Sequence, residues 1–361
     1  MALDDATAAT LPRHRAEAMI AFAADVLAAE GLRPADAARA AELMVEADLT
    51  GADAHGIFRL PQYVRRLRAG GAKPQPDITV RRLAPAVAMV EGDNGLGHLV
   101  MSRTAETAVE IAREAGIAWV GARGSNHAGS GAVHACLPLA AGMVGIYTVV
   151  ASANHMAPWG GTESLLGTNP LAIAIPMGEA DPVVLDMATT VVSYGTVKGH
   201  ALRGAPMPEG WMIDARTGEP LTDPARSHEG ILLPVGGYKG SGLALVLGLL
   251  AGPLNRAAFG RDVVDFNADD RTVTETGHVL IALDVARFLD PAAFQAEVAR
   301  HLADLRSSAK LPGVDRIRTP GELRAERRRD RVARGVPLPP ALLSLLDRLA
   351  EEAGVAPLGQ R

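Results

Sequence analysis

The alternation of apolar and polar residues divides the chain into a helical start, an α/β middle and a helical end. Residues 16–30 are alanine-rich and amphipathic, and Gly31 stops this pattern before Pro34 opens a second helix that runs to about residue 49. A third helical pattern covers residues 57–67, after a polar turn at residues 50–56. The first part of the chain is therefore predicted to be helical.

From about residue 80 the pattern changes to short β-rich runs that alternate with helical segments. Strands are predicted at residues 87–91, 117–122, 144–150, 171–176, 183–186, 231–235 and 276–284. Helices are predicted at residues 241–251, 291–307 and 338–352, and no internal repeat is visible. This order indicates an α/β class with helices at both ends.

Two stretches fit neither pattern. Residues 199–229 are rich in proline, glycine and charge, which is typical of a long surface excursion near a ligand site, and a lid is one interpretation of it. Residues 316–334 are rich in arginine and precede the last helix.

Composition narrows the class of protein. At 361 residues the chain is predicted to form two joined domains, and 48% hydrophobic with 21% charged residues is typical of a compact globular protein. The formal charge of −5 gives no overall attraction to nucleic acid or to an anionic membrane, so neither partner is expected.

The numbers and spacing of cysteine and histidine residues limit the cellular compartments and the metal sites that fit this chain. Cys136 is the single cysteine, which excludes an intrachain disulfide and fits a reducing compartment. The N-terminal 15 residues lack the apolar core of a signal peptide, so a cytoplasmic protein is expected. The ten histidines show no metal-ligand spacing, and no metal is predicted.

The glycine-rich segments do not match a Rossmann site, because no strand is followed by Gly-x-Gly-x-x-Gly and a later acidic residue. Residues 237–242 instead place Lys239 and small residues at the start of a helix, where free N–H groups favour a phosphate. A tight turn without a ligand explains these glycines equally well on spacing alone.

A second candidate is the segment 124–131, which contains Ser125, Asn126 and His127 between a strand and a helix. It offers backbone donors, an amide and an imidazole to a ligand. The alternative is an ordinary loop whose Ser and Asn cap the next helix, and for an isolated motif that alternative is favoured.

Three further side chains have the chemistry of a ketone reductase. His55 lies in the polar turn and Arg59 follows four positions later, so both could face one cleft. Imidazole is suited to proton transfer near neutral pH, and guanidinium is suited to a carboxylate. Asp186 ends an apolar strand, where a buried carboxylate needs a partner such as an imidazolium. A capping His, a solvated Arg and a capping Asp are the alternatives.

Taken together, these segments resemble the malate/L-lactate dehydrogenase family of NAD(P)-dependent oxidoreductases, which includes ureidoglycolate, sulfolactate and diketogulonate enzymes and cyclic imino acid reductases. The resemblance rests on ten segments, at residues 47–49, 53–61, 124–127, 157–161, 166–170, 184–189, 208–211, 222–224, 236–240 and 320–322. Their order over about 200 residues is more specific than any single motif.

The resemblance implies a non-Rossmann α/β fold in a homodimer. It implies a helical domain from residues 1–80 and 290–361, beside a largely β, cofactor-binding α/β domain at residues 81–289. The cofactor would be NAD or NADP, and the substrate a small 2-oxo or 2-hydroxy acid. A cyclic imino acid reductase, a non-catalytic ligand-binding relative and a phosphate-binding transferase are the alternatives.

The resemblance also implies roles for individual residues. His55 would be the proton donor and Asp186 its charge-relay partner, with Arg59 and His127 at the substrate. The residues implied at the dinucleotide are Ser125, Asn126, His127, Val184, Leu185, Asp186, Met187, Ala188, Thr189, Tyr238, Lys239, Gly321 and Glu322. Two positions depart from the family pattern: Ala54 replaces a common Ser before the catalytic His, which removes a hydroxyl, and Leu323 stands where many relatives have Arg.

Overall fold

The computed structural model describes residues 10–361, with residues 202 and 203 described for their backbone alone. Residues 1–9, which belong to the predicted polar tail and helical domain, lie outside the described residues. The strands are β1 (Arg13–His14), β2 (Thr79–Ala84), β3 (Val87–Glu91), β4 (Ile117–Ser125), β5 (Met143–Val149), β6 (Leu171–Ile175), β7 (Val183–Met187), β8 (Met212–Asp214), β9 (Gly230–Leu232), β10 (Thr276–Asp284) and β11 (Val336–Pro337). The helices are α1 (Ala16–Ala29), α2 (Pro34–Leu49), α3 (Leu60–Ala69), α4 (Gly97–Ala115), α5 (Gly131–Ala135), α6 (Tyr194–Arg203), α7 (Tyr238–Ala251), α8 (Pro291–Ser307), α9 (Glu322–Arg334) and α10 (Pro340–Ala353).

A seven-stranded sheet forms the centre of the molecule, in the order β2-β3-β4-β10-β5-β6-β7. Strands β3 and β4 run parallel, and the other neighbouring pairs of this sheet are antiparallel. A Rossmann domain would have a mostly parallel sheet with crossover helices. The predicted non-Rossmann α/β class is therefore confirmed.

The helical layer is built from both ends of the chain. One apolar cluster joins Met19 and Phe22 of α1 to Tyr63 of α3 and to Leu346 of α10. Strand β1 pairs with β11, which ties the two ends together beside this cluster. Helix α8 contributes no buried residue and packs on the turn at residues 285–287. The division into residues 1–80 with 290–361 and residues 81–289 stays a prediction.

The excursion predicted at residues 199–229 has more structure than its composition indicated. Helix α6 enters it, strands β8 and β9 pair, and a small apolar core forms from Val197, Met207, Met212, Leu221 and Leu232. Val197, Met207 and Leu221 each stand between proline, threonine or lysine neighbours, so no periodic pattern marked them.

Helix α9 falls in the arginine-rich stretch at residues 316–334, where no helix was predicted. Its exposed arginines make ion pairs, such as Arg328 with Glu46 at 2.9 Å, and Arg331 is buried. An apolar stripe is absent, so hydrophobic periodicity could not indicate this helix. Within residues 10–361, no helix is both long and apolar enough to cross a membrane.

Candidate active site

A cavity of about 300 Å³ lies between the helical layer and the sheet. Its lining brings together four side chains singled out from the sequence, namely His55, Arg59, His127 and Asp186. They come from the turn before α3, the loop before α5 and strand β7. The structure thus gathers the predicted acid–base, carboxylate-binding and charge-relay candidates around one space.

The turn that carries His55 is held from two sides. The buried carboxylate of Asp48, in α2, accepts the N–H of Ile57 at 2.7 Å. Gly56 leaves room for this carboxylate, since a Cβ at that position would lie 2.0 Å from an Asp48 oxygen. From α9, Arg331 donates to the Asp48 carbonyl and to the Asp53 carboxylate. The turn therefore has little freedom to move.

The imidazole of His55 stacks on that of His127, with ring centres 5.6 Å apart and an interplanar angle of 19°. Its Nδ1 is buried and has no hydrogen-bond partner among the described residues. Burial, reinforced by the positive charge of Arg59, lowers the pKa of His55 to about 3. The ring is thus neutral at pH 7, the form that can accept a proton.

The hydrogen bonds of the His127 imidazole define which of its nitrogens carries the proton. Its Nδ1 contacts the Tyr63 hydroxyl at 2.7 Å and accepts the Gly129 N–H at 3.3 Å. Because a backbone N–H can only donate, Nδ1 of His127 is an acceptor and a neutral ring carries its proton on Nε2. Burial, with Arg59 and neighbouring histidines, keeps the pKa of His127 well below its usual value. This ring can donate to a ligand oxygen without being charged.

Protein acceptors hold the guanidinium of Arg59 on one side and leave one of its nitrogens for a ligand carboxylate. Its Nε donates to the Ala54 carbonyl at 2.9 Å, and its Nη1 donates to Gln62 Oε1 at 2.8 Å and to Asn267 Oδ1 at 3.0 Å. Gln62 is itself oriented by donating to the Phe266 carbonyl at 2.6 Å. Nη2 of Arg59 has no hydrogen-bond partner in residues 10–361, so it can reach a ligand.

Asp186 faces the same cavity but does not contact His55 through a hydrogen bond in the described chain. Its Oδ2 accepts the Ser130 hydroxyl at 3.3 Å and the Ala132 N–H at 3.1 Å. The side chain is open to the cavity, yet the walls displace bulk water, and this desolvation raises the pKa of Asp186. Its role as a relay to His55 stays a prediction.

A second cavity of about 240 Å³ adjoins the first and shares Ala52 and Asp186 with it. Thr50, Gly51, Arg318, Thr319, Gly321, Leu323 and Arg324 line it, together with Val184. Gly321 has φ +97°, and a Cβ there would lie 2.8 Å from the Val184 nitrogen. Only glycine fits this close approach.

The two cavities form an elongated groove that suits a dinucleotide. Along β7 side chains alternate, so Val184 and Asp186 line the groove, as does Ala188 directly after the strand, while Leu185 and Met187 do not. Arg324 has no ion-pair or hydrogen-bond partner in the described part of the chain, and it contributes a positive charge near Asp186. The groove offers backbone, carboxylate and guanidinium groups to a ribose and a phosphate.

Other residues implied at the dinucleotide lie outside both cavities. Ser125 and Asn126 are buried, and their side chains bond to His278 and to the Asn94–Gly95 turn. Thr189 donates to the Thr168 carbonyl.

The remaining three lie on helix ends. Tyr238 and Lys239 begin α7 as exposed residues, after the predicted strand-to-helix turn. Glu322 accepts from Thr319 and Arg306. Their contacts with a cofactor remain predictions.

Several residues that line the cavity or support its side chains were not selected by the sequence analysis. Ser130 lies inside the segment 124–131, and its position next to a capping site was a usable signal. Lys198 lies one residue before the predicted excursion, and it lines the cavity with Tyr194. Asn267 comes from a loop more than 200 residues after Arg59, so no local pattern could have paired them. In residues 10–361 no group of three or more His, Cys, Asp or Glu side chains could hold a metal ion.

Comparison with known proteins agrees with this geometry. The sequence model of the malate/L-lactate dehydrogenase family matches residues 14–347. L-sulfolactate dehydrogenase of Methanothermobacter thermautotrophicus is 35% identical over 316 residues, covering 87% of this chain and 89% of that protein. Malate dehydrogenase of Pyrococcus horikoshii is 34% identical over 353 residues, covering 96% of each chain.

The same relationship is visible in solved structures. Sulfolactate dehydrogenase from Methanocaldococcus jannaschii superposes with a TM-score of 0.89 at 33% identity, covering 97% of this chain and 99% of that chain. Other relatives carry NAD(+) or NADP(+) in their names. The resemblance inferred from ten short segments is therefore confirmed over nearly the whole sequence, and the chain belongs to the malate/L-lactate dehydrogenase family.

Proposed function

We propose that this protein is an NAD(P)-dependent oxidoreductase that transfers a hydride between nicotinamide and a small 2-oxo or 2-hydroxy acid. The observation that carries the proposal is the joint placement of His55, His127 and Arg59 in one cavity that continues into a groove. An acid–base group and a carboxylate anchor are what this reaction requires of a protein. The relatives are malate, sulfolactate and ureidoglycolate dehydrogenases.

Arg59 would bind the substrate carboxylate through Nη2, while Asn267 and Gln62 hold the guanidinium in place. The 2-oxygen would then lie within hydrogen-bonding distance of the His55 ring and of His127 Nε2. A bound NAD or NADP supplies or accepts the hydride. Val184, Asp186, Ala188 and Gly321 are the groove residues that would hold it.

His55 would exchange the proton of the 2-oxygen. In the oxidation its neutral ring is already able to accept the hydroxyl proton. In the reduction it must first be protonated, and pairing of Arg59 with the substrate carboxylate favours this, because the Arg59 charge contributes to the low pKa of His55. Asp186 would stabilise the imidazolium across the cavity, and Ser130 and Ala132 fix its carboxylate there.

We further propose a cytoplasmic homodimer. Helix α7 is apolar on nearly all sides, and Leu245, Val246 and Leu249 are 44%, 53% and 42% exposed. A helix that is apolar all round is normally covered, and a second copy of this chain would cover it. Cys136 is the single cysteine, so the chain forms no intrachain disulfide, which suits a reducing cytoplasm. Light scattering of Val246→Glu should give half the mass of the parent protein; an unchanged mass would exclude this face.

Absorbance of reduced nicotinamide tests the function directly. NADH and NADPH are each assayed with pyruvate, oxaloacetate, diketogulonate and cyclic imino acids, and the hydroxy acids are assayed in reverse. Consumption with a 2-oxo acid supports the proposal, and consumption with imino acids alone replaces it with an imino acid reductase. Dinucleotide binding without turnover would indicate a non-catalytic relative, and absence of binding would favour a phosphate-binding transferase.

His55→Ala tests the assigned acid–base group. We expect kcat to fall by about 100-fold or more, as for loss of a general acid–base group, with dinucleotide binding within twofold of the parent. His301→Ala, on the exposed helix α8, is the matched control and should leave both unchanged. Full turnover by His55→Ala would remove His55 from the mechanism.

A further inference from the structure

The start of helix α6 forms one wall of the catalytic cavity. Ser193, Tyr194, Gly195 and Lys198 all line it. Tyr194 stacks on His155 with ring centres 4.0 Å apart, and Lys198 lies one turn further along the helix with its Nζ 5.3 Å from the centre of the Tyr194 ring. This wall therefore presents an ammonium group on an aromatic support.

Lys198 has no protein counter-ion in the described part of the chain. No ion pair or hydrogen bond to its Nζ is formed there, and Asp265, whose negative charge acts on it, accepts two hydrogen bonds from Asn267 through Oδ1. The exposed Lys73, by contrast, pairs with Asp93 at 2.5 Å. An unpaired ammonium that lines a cavity is available to an anionic ligand.

The charge balance of the cavity points the same way. Two cations, Arg59 and Lys198, line it against one carboxylate, Asp186. Burial and the positive charge of Arg59 both lower the pKa of Lys198, so the two cations act on each other through the cavity. Asp186 is hydrogen-bonded to Ser130 and Ala132 and to neither cation, so a ligand carboxylate on Arg59 would leave the Lys198 ammonium without an ion-pair partner.

We propose that Lys198 binds a second anionic group of the substrate, a carboxylate or sulfonate, and so makes the enzyme selective for dianionic 2-oxo acids. Arg59 holds the carboxylate next to the reacting carbon, and Lys198 holds the distal group across the cavity. The inference rests on the proposed function, and it assigns the excursion helix α6 a direct part in substrate choice. Lys198 is a specificity-determining residue here, while the hydride and proton transfers remain with the groups described above.

The test compares two 2-oxo acids that differ by one carboxylate, oxaloacetate and pyruvate, with the Lys198→Met variant. Loss of a hydrogen bond to a charged group corresponds to about a 10- to 100-fold change, so kcat/KM for oxaloacetate should fall by that factor. For pyruvate it should stay within twofold. Lys198→Arg keeps the charge and should recover most of the oxaloacetate activity. Arg300→Met removes one charge from exposed helix α8 and should change neither value.

Three results would overturn the inference while leaving the proposed function in place. An equal fall for both acids would mean that Lys198 supports the cavity in general, and unchanged kinetics would mean that it binds nothing. A rise in KM for the dinucleotide alone would assign its ammonium to a cofactor phosphate. Melting temperatures of Lys198→Met and Lys198→Arg within a few degrees of the parent exclude unfolding as the cause of a lower kcat/KM. A parent protein that reduces neither acid, nor any other 2-oxo acid, removes the proposed function and this inference together.

Discussion

Replacing Gly56 by Ala tests whether the catalytic turn depends on the buried carboxylate below it. The added Cβ would lie 2.0 Å and 2.3 Å from the two carboxylate oxygens of Asp48, so that side chain must move. Moving it breaks the 2.7 Å hydrogen bond to the Ile57 N–H, and a typical hydrogen bond contributes about 0.5–1.5 kcal/mol. Overpacking adds about 1–3 kcal/mol. We expect the free energy of unfolding to fall by about 1.5–4.5 kcal/mol, the sum of these two costs.

Urea unfolding measures this change, with the slope m held constant between variants. Gly359→Ala is the matched control, because a Cβ at this exposed position near the end of the chain meets nothing within 4 Å. Alanine should there be neutral or stabilising by up to about 1 kcal/mol. Turnover should fall as well for Gly56→Ala, since a displacement of about 1 Å in a catalytic group can cost roughly 100-fold in rate.

A double-mutant cycle identifies the cause. In an Asp48→Ala background the clash is absent, so Gly56→Ala should cost less than about 1 kcal/mol there, and the two changes should be strongly non-additive. A cost below about 1 kcal/mol for Gly56→Ala in the parent protein, or equal costs in both backgrounds, would refute the reasoning.

Three further predictions concern buried polar groups. Burial lowers the pKa of His98 to about 3, so as pH falls below about 6.5 the unfolded state binds a proton that the folded state does not, and stability is lost. His98→Gln should therefore flatten urea stability against pH between about 6.5 and 4, by up to about 1.4 kcal/mol per pH unit, and an unchanged slope would contradict this. Ser130→Ala removes a hydrogen-bond donor to Asp186, which should raise the pKa of this carboxyl further. The acidic limb of the pH–kcat profile should then move to higher pH, and an unmoved limb would show that ionisation of Asp186 does not limit turnover. Arg331→Met leaves the Asp53 carboxylate without this partner and should cost about 3 kcal/mol in urea unfolding, together with turnover, whereas unimpaired turnover would show that the turn holds without it.

The sequence predicted best the elements whose hydrophobic pattern is complete. Strands β3 and β10 and helix α8 have the predicted bounds, because turn or capping residues flank a periodic run in each. Helix α9 was missed because ion pairs and one buried arginine replace an apolar stripe. The place of β10 between β4 and β5 depends on pairing across more than 100 residues, which no local pattern encodes.

The same distinction holds for the candidate site. His55, Arg59, His127 and Asp186 could be selected by residue type and neighbouring glycines, and the structure places them in one cavity. Asn267, which orients Arg59, could not be selected because its contact is made only after folding. The residues that carry the chemistry could therefore be predicted from the sequence, whereas the residues that position them could not.

The clamp of Arg331 on the catalytic turn has a consequence for how the protein is made. The residues it joins, Asp53 and Arg331, lie 278 positions apart in the chain. At a synthesis rate of about 5–20 residues per second, the turn would leave the ribosome many seconds before Arg331 does. Contacts of such separation also slow folding. The nascent chain should thus remain inactive until α9 docks, and dinucleotide turnover would report the completion of folding.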